Sequence, residues 1–331
     1  MIPNQWYVIL ESNEVKKGKP IGFTRMGEKI VAWRDGNGKL SVMSDLCPHR
    51  GVALSVGKLS GDCIQCPFHG FEYDSSGNGK LIPANGRDAE PPKAMHVKTY
   101  QTREEHGFIY MWWGEPLAAE VEYPQLPWFE SISENMVYST LRDHWKCHYS
   151  RAIENQLDVV HLPFIHRTTI GRGNRTLVNG PVTKEESTGK GDNLLNVWVY
   201  NVSDDGQIPI KPSDMPEPNR RPFLQFRFPN MWQNWIADSI RIVLAFTPID
   251  DENTMMYLRY YHTTRTPVLR QLMGFTGSLA NLFIERQDRR VVVTQRPTRS
   301  DLNIGETLIQ GDHPIIVYRK RRRILIDQPE K

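Results

Sequence analysis

The sequence predicts an α+β protein: an antiparallel β domain over residues 1–116, then a domain over residues 117–331 that mixes an antiparallel sheet with helices. Three observations carry this expectation. Short β-branched and aromatic runs, split by turn residues and free of helical periodicity, fill residues 6–114. A proline-rich passage over residues 116–127 then breaks the pattern, as a linker would. Beyond it, strand-like runs alternate with stretches long enough to be helices.

In chain order, "WYVIL", "KIVAW", "LSVM" and "HGFIYMWWG" read as strands, and "RDGNGK" between the second and third is a hairpin signal. "DSSGNGK" at 74–80 is a second turn, and "PANGRDAEPP" at 83–92 a loop. In the second domain a helix is expected over about residues 150–162, stopped by Pro163, whose ring and missing N–H oppose a helix interior. Strands follow in "NLLNVWVYNV", "FLQFRF" and a long hairpin turning at residues 250–253, and a late helix covers about 269–293.

Composition excludes several classes. Forty-one basic against 38 acidic residues leave a net charge of +3, so nothing demands a nucleic-acid partner. No run approaches 18 consecutive apolar residues, so no membrane span is expected, and the first residues lack the pattern of a secretory leader. Four cysteines are too few for a disulfide scaffold; metal ligation in the reducing cytoplasm is the better reading.

"CPHRG" at 47–51 and "CPFHGF" at 66–71 each set a Cys and a His two or three places apart, with sixteen residues between His49 and Cys66. Two Cys and two His could form a structural zinc site, but such sites usually pair Cys with Cys and His with His. One Cys and one His on each arm suits a [2Fe-2S] cluster in which one iron takes two thiolates and the other two imidazoles. Gly51 and Gly70 would permit tight turns that aim amide N–H groups at the sulfides. Cys63 and Cys147 read as spare thiols.

The two stretches, with Tyr73 and Asp74, closely resemble the Rieske cluster motif. By that resemblance Cys47, His49, Cys66 and His69 are the cluster ligands, of the low-potential type, because the loops lack the additional cysteine pair of the respiratory proteins. Downstream, Asn155, Asp158, His161 and His166 in "ENQLDVVHLPFIH" resemble the mononuclear iron motif of the Rieske non-haem iron oxygenases. Two imidazoles and a carboxylate make the facial triad that holds Fe(II) with open positions. The spacing sets Asn155, Asp158 and His161 on one helical face. The third ligand would be Asp288 in "ERQDRRVVVTQRP", with Glu285 as the alternative.

The resemblance implies a helix-grip catalytic domain, a curved antiparallel sheet around a long helix. It also implies hydroxylation or oxidative demethylation of a small aromatic or heterocyclic compound by O₂. Electrons would come from NAD(P)H through a separate reductase or ferredoxin, since no dinucleotide fingerprint follows a strand here. The chain length suits the homotrimeric monooxygenases, in which Asp158 would bridge His69 of one subunit to His161 of the next. Alternatives are a cis-dihydroxylating dioxygenase or, from another class, an electron-transfer protein with a partner-binding domain.

Three further features have local readings. Phe226, Phe228, Asn230 and Asn234 in "PFLQFRFPNMWQNWI" could flank a pocket or simply pack. His144 and His148 are four apart, but nothing nearby completes a site. "RKRRR" at 319–323 reads as a solvated face, or as a docking patch for an acidic electron-transfer partner.

Overall fold

A computed structural model of the chain describes residues 1–171, 175–187 and 193–327. It divides into two compact units, one of Trp6–Pro116 and the other of Met1–Gln5 together with Leu117–Lys331.

The first unit holds three small antiparallel sheets. β1 (Gln5–Glu11) neighbours β10 (Phe108–Trp113), which pairs with β9 (Thr102–Glu105). A second sheet orders β2 (Ile21–Arg25), β3 (Glu28–Arg34) and β4 (Leu40–Ser44). The third orders β5 (Lys58–Ser60), β6 (Cys63–Gln65), β7 (Glu72–Tyr73) and β8 (Gly79–Leu81). Both anticipated turns form by one mechanism. Asp35 Oδ1 accepts from the N–H groups of Asn37 and Lys39, and Asp74 Oδ1 from those of Ser76 and Asn78. Cys47 and Cys66 are themselves part of a core with Trp33, Met43, Ile64 and Tyr73.

The second unit is one seven-stranded antiparallel sheet in the order β11-β17-β16-β15-β14-β13-β12. Its strands are β11 (Val137–Trp145), β12 (Leu177–Ser187), β13 (Asn193–Val202), β14 (Leu224–Arg227), β15 (Met231–Ala237), β16 (Ile240–Pro248) and β17 (Thr254–His262). The 26-residue helix α3 (Pro267–Val292) packs on β11 and β17. Its approach needs glycine: a Cβ at Gly277 would lie 2.5 Å from the Tyr260 ring. Helix α1 (Tyr149–Leu157) and the C-terminal α4 (His313–Asp327) enclose the main core with Trp145, Leu244, Phe246 and Tyr318. Such fully buried aromatic residues contribute about 3–5 kcal/mol each, judged by truncation.

The helix expectation is corrected. The helix expected to run from 150 to 162 ends at Leu157, and Pro163 begins a second helix, α2 (Leu162–Ile165), instead of stopping the first. The cause is Asp158, which leaves the helix with extended backbone (φ −72°, ψ 123°). Its Oδ1 accepts from the N–H groups of Val160 (2.6 Å) and His161 (3.3 Å), turning the chain. Pro163 then fits the first helical turn, where a missing N–H is harmless. Asn155, Asp158 and His161 therefore do not share one helical face; only Asn155 is on α1.

The basic run on α4 is split: Lys320 and Arg323 are exposed, as a solvated face requires, whereas two of its arginines turn inward. Arg319 and Arg322 are 4% and 2% exposed. Arg319 makes a forked pair with Glu154 (2.7 and 2.9 Å) and reaches Glu306 (2.7 Å), and Arg151 closes the ring onto Glu306 at 2.7 Å. Arg323 alone of these three is half exposed, paired with Asp327. His144 and His148 also diverge: His144 is on β11 against Asn253, whereas buried His148 caps α1, its Nδ1 accepting from the Ser150 N–H.

Candidate metal centres and substrate cavity

The two Cys/His loops have the same backbone design. Cys47 N–H donates to Val52 O and Gly51 N–H to Cys47 O; Cys66 N–H donates to Phe71 O and Gly70 N–H to Cys66 O. Gly51 (φ 68°) and Gly70 (φ 72°) occupy equivalent left-handed positions, which a β-carbon would disfavour. Both thiols are buried, 2% exposed, while the imidazoles lie further out, with His49 Nδ1 and His69 Nδ1 3.2 Å apart. Inner sulfur pairs and outer nitrogen pairs are the donor arrangement a cluster with two thiolate and two imidazole ligands requires. Tyr73 Oη stands 3.2 Å from Cys47 Sγ, able to donate to a ligating sulfur. Burial, then the charges of His49 and Arg50, lower the basicity of His69. Cys63 and Cys147 are free thiols, and burial pushes the Cys147 pKa up to about 12.

In the second unit, His161 stands just before α2, His166 just after it, and Asp288 on α3. Among the described residues these three form the group whose His, Cys and carboxylate donors converge on one point, with ligand atoms within 4.8 Å of one another. His166 Nε2 and His161 Nε2 lie 3.0 and 3.6 Å from Asp288 Oδ1. That oxygen is buried and accepts no hydrogen bond, a costly position for a carboxylate that a divalent cation would relieve. The donor set fits Fe(II).

The opposite nitrogens face polar neighbours, one of them within hydrogen-bond distance. His161 Nδ1 faces Asp158 Oδ2 at 3.6 Å, and His166 Nδ1 lies 2.8 Å from Gln287 Oε1. Thr169 Oγ1 donates to the same Gln287 oxygen at 3.1 Å. A carbonyl oxygen can only accept, so His166 carries its proton on Nδ1 and leaves Nε2 free for a metal. Gln287 and Thr169 were not anticipated from sequence; the adjacency of Gln287 to Asp288 was the available signal. Burial raises Asp158's carboxyl, but contact with His161 and the two backbone N–H groups prevails and holds it below the usual carboxylate range.

Glu285, the alternative third ligand, is outside the converging group. It is 6% exposed, with Gln156 Nε2 3.4 Å from its Oε2. Burial, with the nearby charges of Asp288 and Asp143, raises its pKa well above the ordinary value.

These residues end a cavity of about 170 Å³ walled by Leu162, Phe223, Trp232, Ile236 and Ile284, with amides from Asn155, Asn201, Asn234 and Asn281. Of the four residues singled out near a pocket, only Asn234 reaches it. Phe226 and Phe228 are core residues packed on Tyr318, and Asn230 is buried with its Nδ2 donating to Phe246 O.

A two-loop cluster domain followed by a curved-sheet domain with two histidines and a carboxylate defines the terminal oxygenases of the Rieske non-haem iron type. Comparison with known families agrees: residues 5–101 match the Rieske [2Fe-2S] domain, and residues 145–328 match the vanillate O-demethylase oxygenase C-terminal domain. The chain thus belongs to the Rieske non-haem iron oxygenases, in the group sharing the vanillate O-demethylase oxygenase C-terminal domain.

The chain is 29% identical over 204 residues to the iron-sulfur subunit TsaM1 of the toluene-4-sulfonate monooxygenase system of Comamonas testosteroni, covering 60% of this chain and 56% of that one. It is 31% identical over 170 residues to the vanillate O-demethylase oxygenase subunit of a Pseudomonas species, 51% of this chain and 46% of the relative. It therefore spans about half the length of these curated relatives. The Pseudomonas putida CBB5 NdmA structure shares the fold, with a TM-score of 0.73 at 21% identity, covering 98% of this chain and 90% of NdmA. Among the described residues no helix is long and apolar enough to cross a membrane.

Proposed function

We propose that this chain is the oxygenase component of a multicomponent system that hydroxylates or oxidatively demethylates a small aromatic or heterocyclic compound. Electrons would arrive from NAD(P)H through a separate reductase or ferredoxin. The observation that carries the reading is the convergence of His161 Nε2, His166 Nε2 and Asp288 Oδ1 at the end of an apolar cavity. Relatives named for toluene-4-sulfonate and vanillate support a small aromatic substrate.

Cys47, His49, Cys66 and His69 would hold the cluster, and His161, His166 and Asp288 the iron. Bound there, these centres would supply single-electron delivery and reductive activation of O₂. The protein's own contribution is positional. Gln287 keeps the His166 Nδ1 proton in place, so that its Nε2 lone pair points inward, and the Asp158 carboxylate faces His161 Nδ1 across 3.6 Å. Glu285 stands outside the converging donors, so Asp288 is the carboxylate that faces the metal position. The apolar walls exclude water, while Asn201 and Asn234 offer amide groups that can orient a substrate.

The reading extends to a homotrimer closed head to tail, in which Asp158 of one chain links its own His161 to His69 of the next. The test is to load the purified protein anaerobically with Fe(II) and follow substrate-dependent NADH and O₂ consumption with a surrogate reductase. Iron in excess of the cluster pair, and product formed in step with O₂ uptake, are expected. A protein that takes up no iron beyond the cluster would be an electron carrier instead.

A further inference from the structure

We infer, resting on the oxygenase reading above, that the substrate carries an acidic group, a carboxylate or sulfonate, held by Arg220 at the outer mouth of the cavity. The inner cavity opens into an outer one of about 790 Å³. Leu162, Ile170, Val199, Asn201, Phe223 and Ile236 line both, so the two are continuous. Their charge differs sharply. The inner cavity ends at the candidate metal donors and has no Lys or Arg in its lining, whereas the outer one is lined by Arg175, Arg220 and Arg221 and, among the described residues, by no acid.

The three guanidiniums are not equivalent. Arg221 pairs with exposed Asp238, which offsets its charge. Arg220 is held ready: its guanidinium lies over the Tyr200 ring, 4.6 Å from the centroid, and one nitrogen donates to Val199 O at 2.9 Å. Its own carbonyl accepts from Trp198 Nε1 at 2.6 Å, fixing the backbone to β13. Among the described residues no carboxylate pairs with Arg220 or Arg175. A guanidinium has five N–H donors in a planar fork. With stacking and one bond fixing its plane, Arg220 keeps donors for a flat or pyramidal oxyanion.

The mouth is also apolar: Ile170, Phe223 and Ile236 are 55%, 40% and 48% exposed. An aromatic acid matches this pairing, its ring passing the apolar rim while its charge stays with Arg220. The acid stays at the mouth because the guanidinium donors are there, whereas the inner walls beside the metal position are apolar.

The holoenzyme, with cluster and iron loaded, is titrated by calorimetry with 4-methoxybenzoate and toluene-4-sulfonate. Methyl 4-methoxybenzoate and 4-methylphenyl methyl sulfone are the neutral counterparts. At low salt the acids are expected to bind about tenfold tighter than their counterparts, the gap shrinking as salt is added. Arg220→Gln should remove about tenfold of acid affinity and change ester affinity by less than about twofold, with Arg220→Lys restoring part. Cluster absorbance and iron content report whether each variant is folded, and the wild-type ratio with its salt dependence stands without them. Acids that bind no tighter than the neutral compounds, or do not bind, overturn the assignment, as does a ratio that survives Arg220→Gln. Acid-selective binding without substrate-dependent O₂ uptake would instead sink the oxygenase reading alone. Oxygenation indifferent to substrate charge would sink the anion site alone.

Discussion

The two candidate metal centres are held in place by different means. In the cluster region, both Cys/His loops are shaped by backbone hydrogen bonds: each Cys N–H and C=O is engaged within its own loop, and a glycine at positive φ closes each turn. In the iron region the ligand side chains are aimed by other side chains. Gln287, itself bound by Thr169, orients His166, and the Asp158 carboxylate faces His161, two imidazoles that α2 merely brings near. A site shaped by its backbone tolerates side-chain substitution around the ligands. A site aimed by side chains changes with each of them.

That contrast can be broken or sharpened by substitution. The largest effect is expected from Asp288→Ala: turnover should fall by about a thousandfold or more and the mononuclear iron be lost, because two neutral imidazoles hold Fe(II) poorly. The cluster spectrum should be unchanged, and Glu285→Gln should keep the iron; iron analysis with visible absorbance checks both. The reverse result, iron lost with Glu285→Gln and kept with Asp288→Ala, would reassign the third ligand.

Asp158→Asn comes next. Asparagine keeps an oxygen for the N–H groups of Val160 and His161 but removes the charge facing His161 Nδ1. Both metals and the assembly should persist, while reoxidation of the reduced cluster in the presence of substrate and O₂ slows by about 10- to 100-fold in stopped-flow traces. Wild-type reoxidation rates would remove Asp158 from the electron path.

Gln287→Ala should weaken iron affinity by about tenfold, measured by competition with a chelator, since His166 loses the acceptor that fixes its tautomer. Tyr73→Phe is the smallest. Losing one hydrogen bond of about 1 kcal/mol to Cys47 Sγ should lower the cluster potential by roughly 40 mV for a one-electron couple, with the cluster fully bound. Cluster loss in this variant, together with an unaltered iron site in Gln287→Ala, would invert the comparison.

The cluster loops were legible in the sequence because their donors fall within residues 47–69 and the turns that shape them are local. The late helix and the long hairpin were legible for the same reason. Asp288 could be read only as one of two acids on that helix, and Gln287 and Thr169 not at all, because their link to His166 exists only after folding. The helix expected to reach residue 162 failed on a contest between propensity and one carboxylate, Asp158, that captures backbone N–H groups ahead of it. Likewise, no inspection of "RKRRR" could show which guanidiniums turn inward, since Glu154 and Glu306 lie on other segments. The alternation around Phe226 and Phe228 could not show that Tyr318 would cover that end of the sheet.

The wall of the cavity has a consequence for how such a chain can diversify. Its candidate metal donors come from α3 and the segment flanking α2, whereas Val199, Asn201, Phe223, Trp232, Asn234 and Ile236 lie on or beside β13, β14 and β15. Drift in the strands can reshape what is accepted while the helical segments keep the reactive apparatus intact. Reciprocally, Gln287 and Asp288 are neighbours on one helix, so a single-residue insertion there would misplace a ligand and its orienting partner together. Laboratory selection for new substrates should therefore accumulate changes along the three strands and leave residues 284–289 nearly untouched.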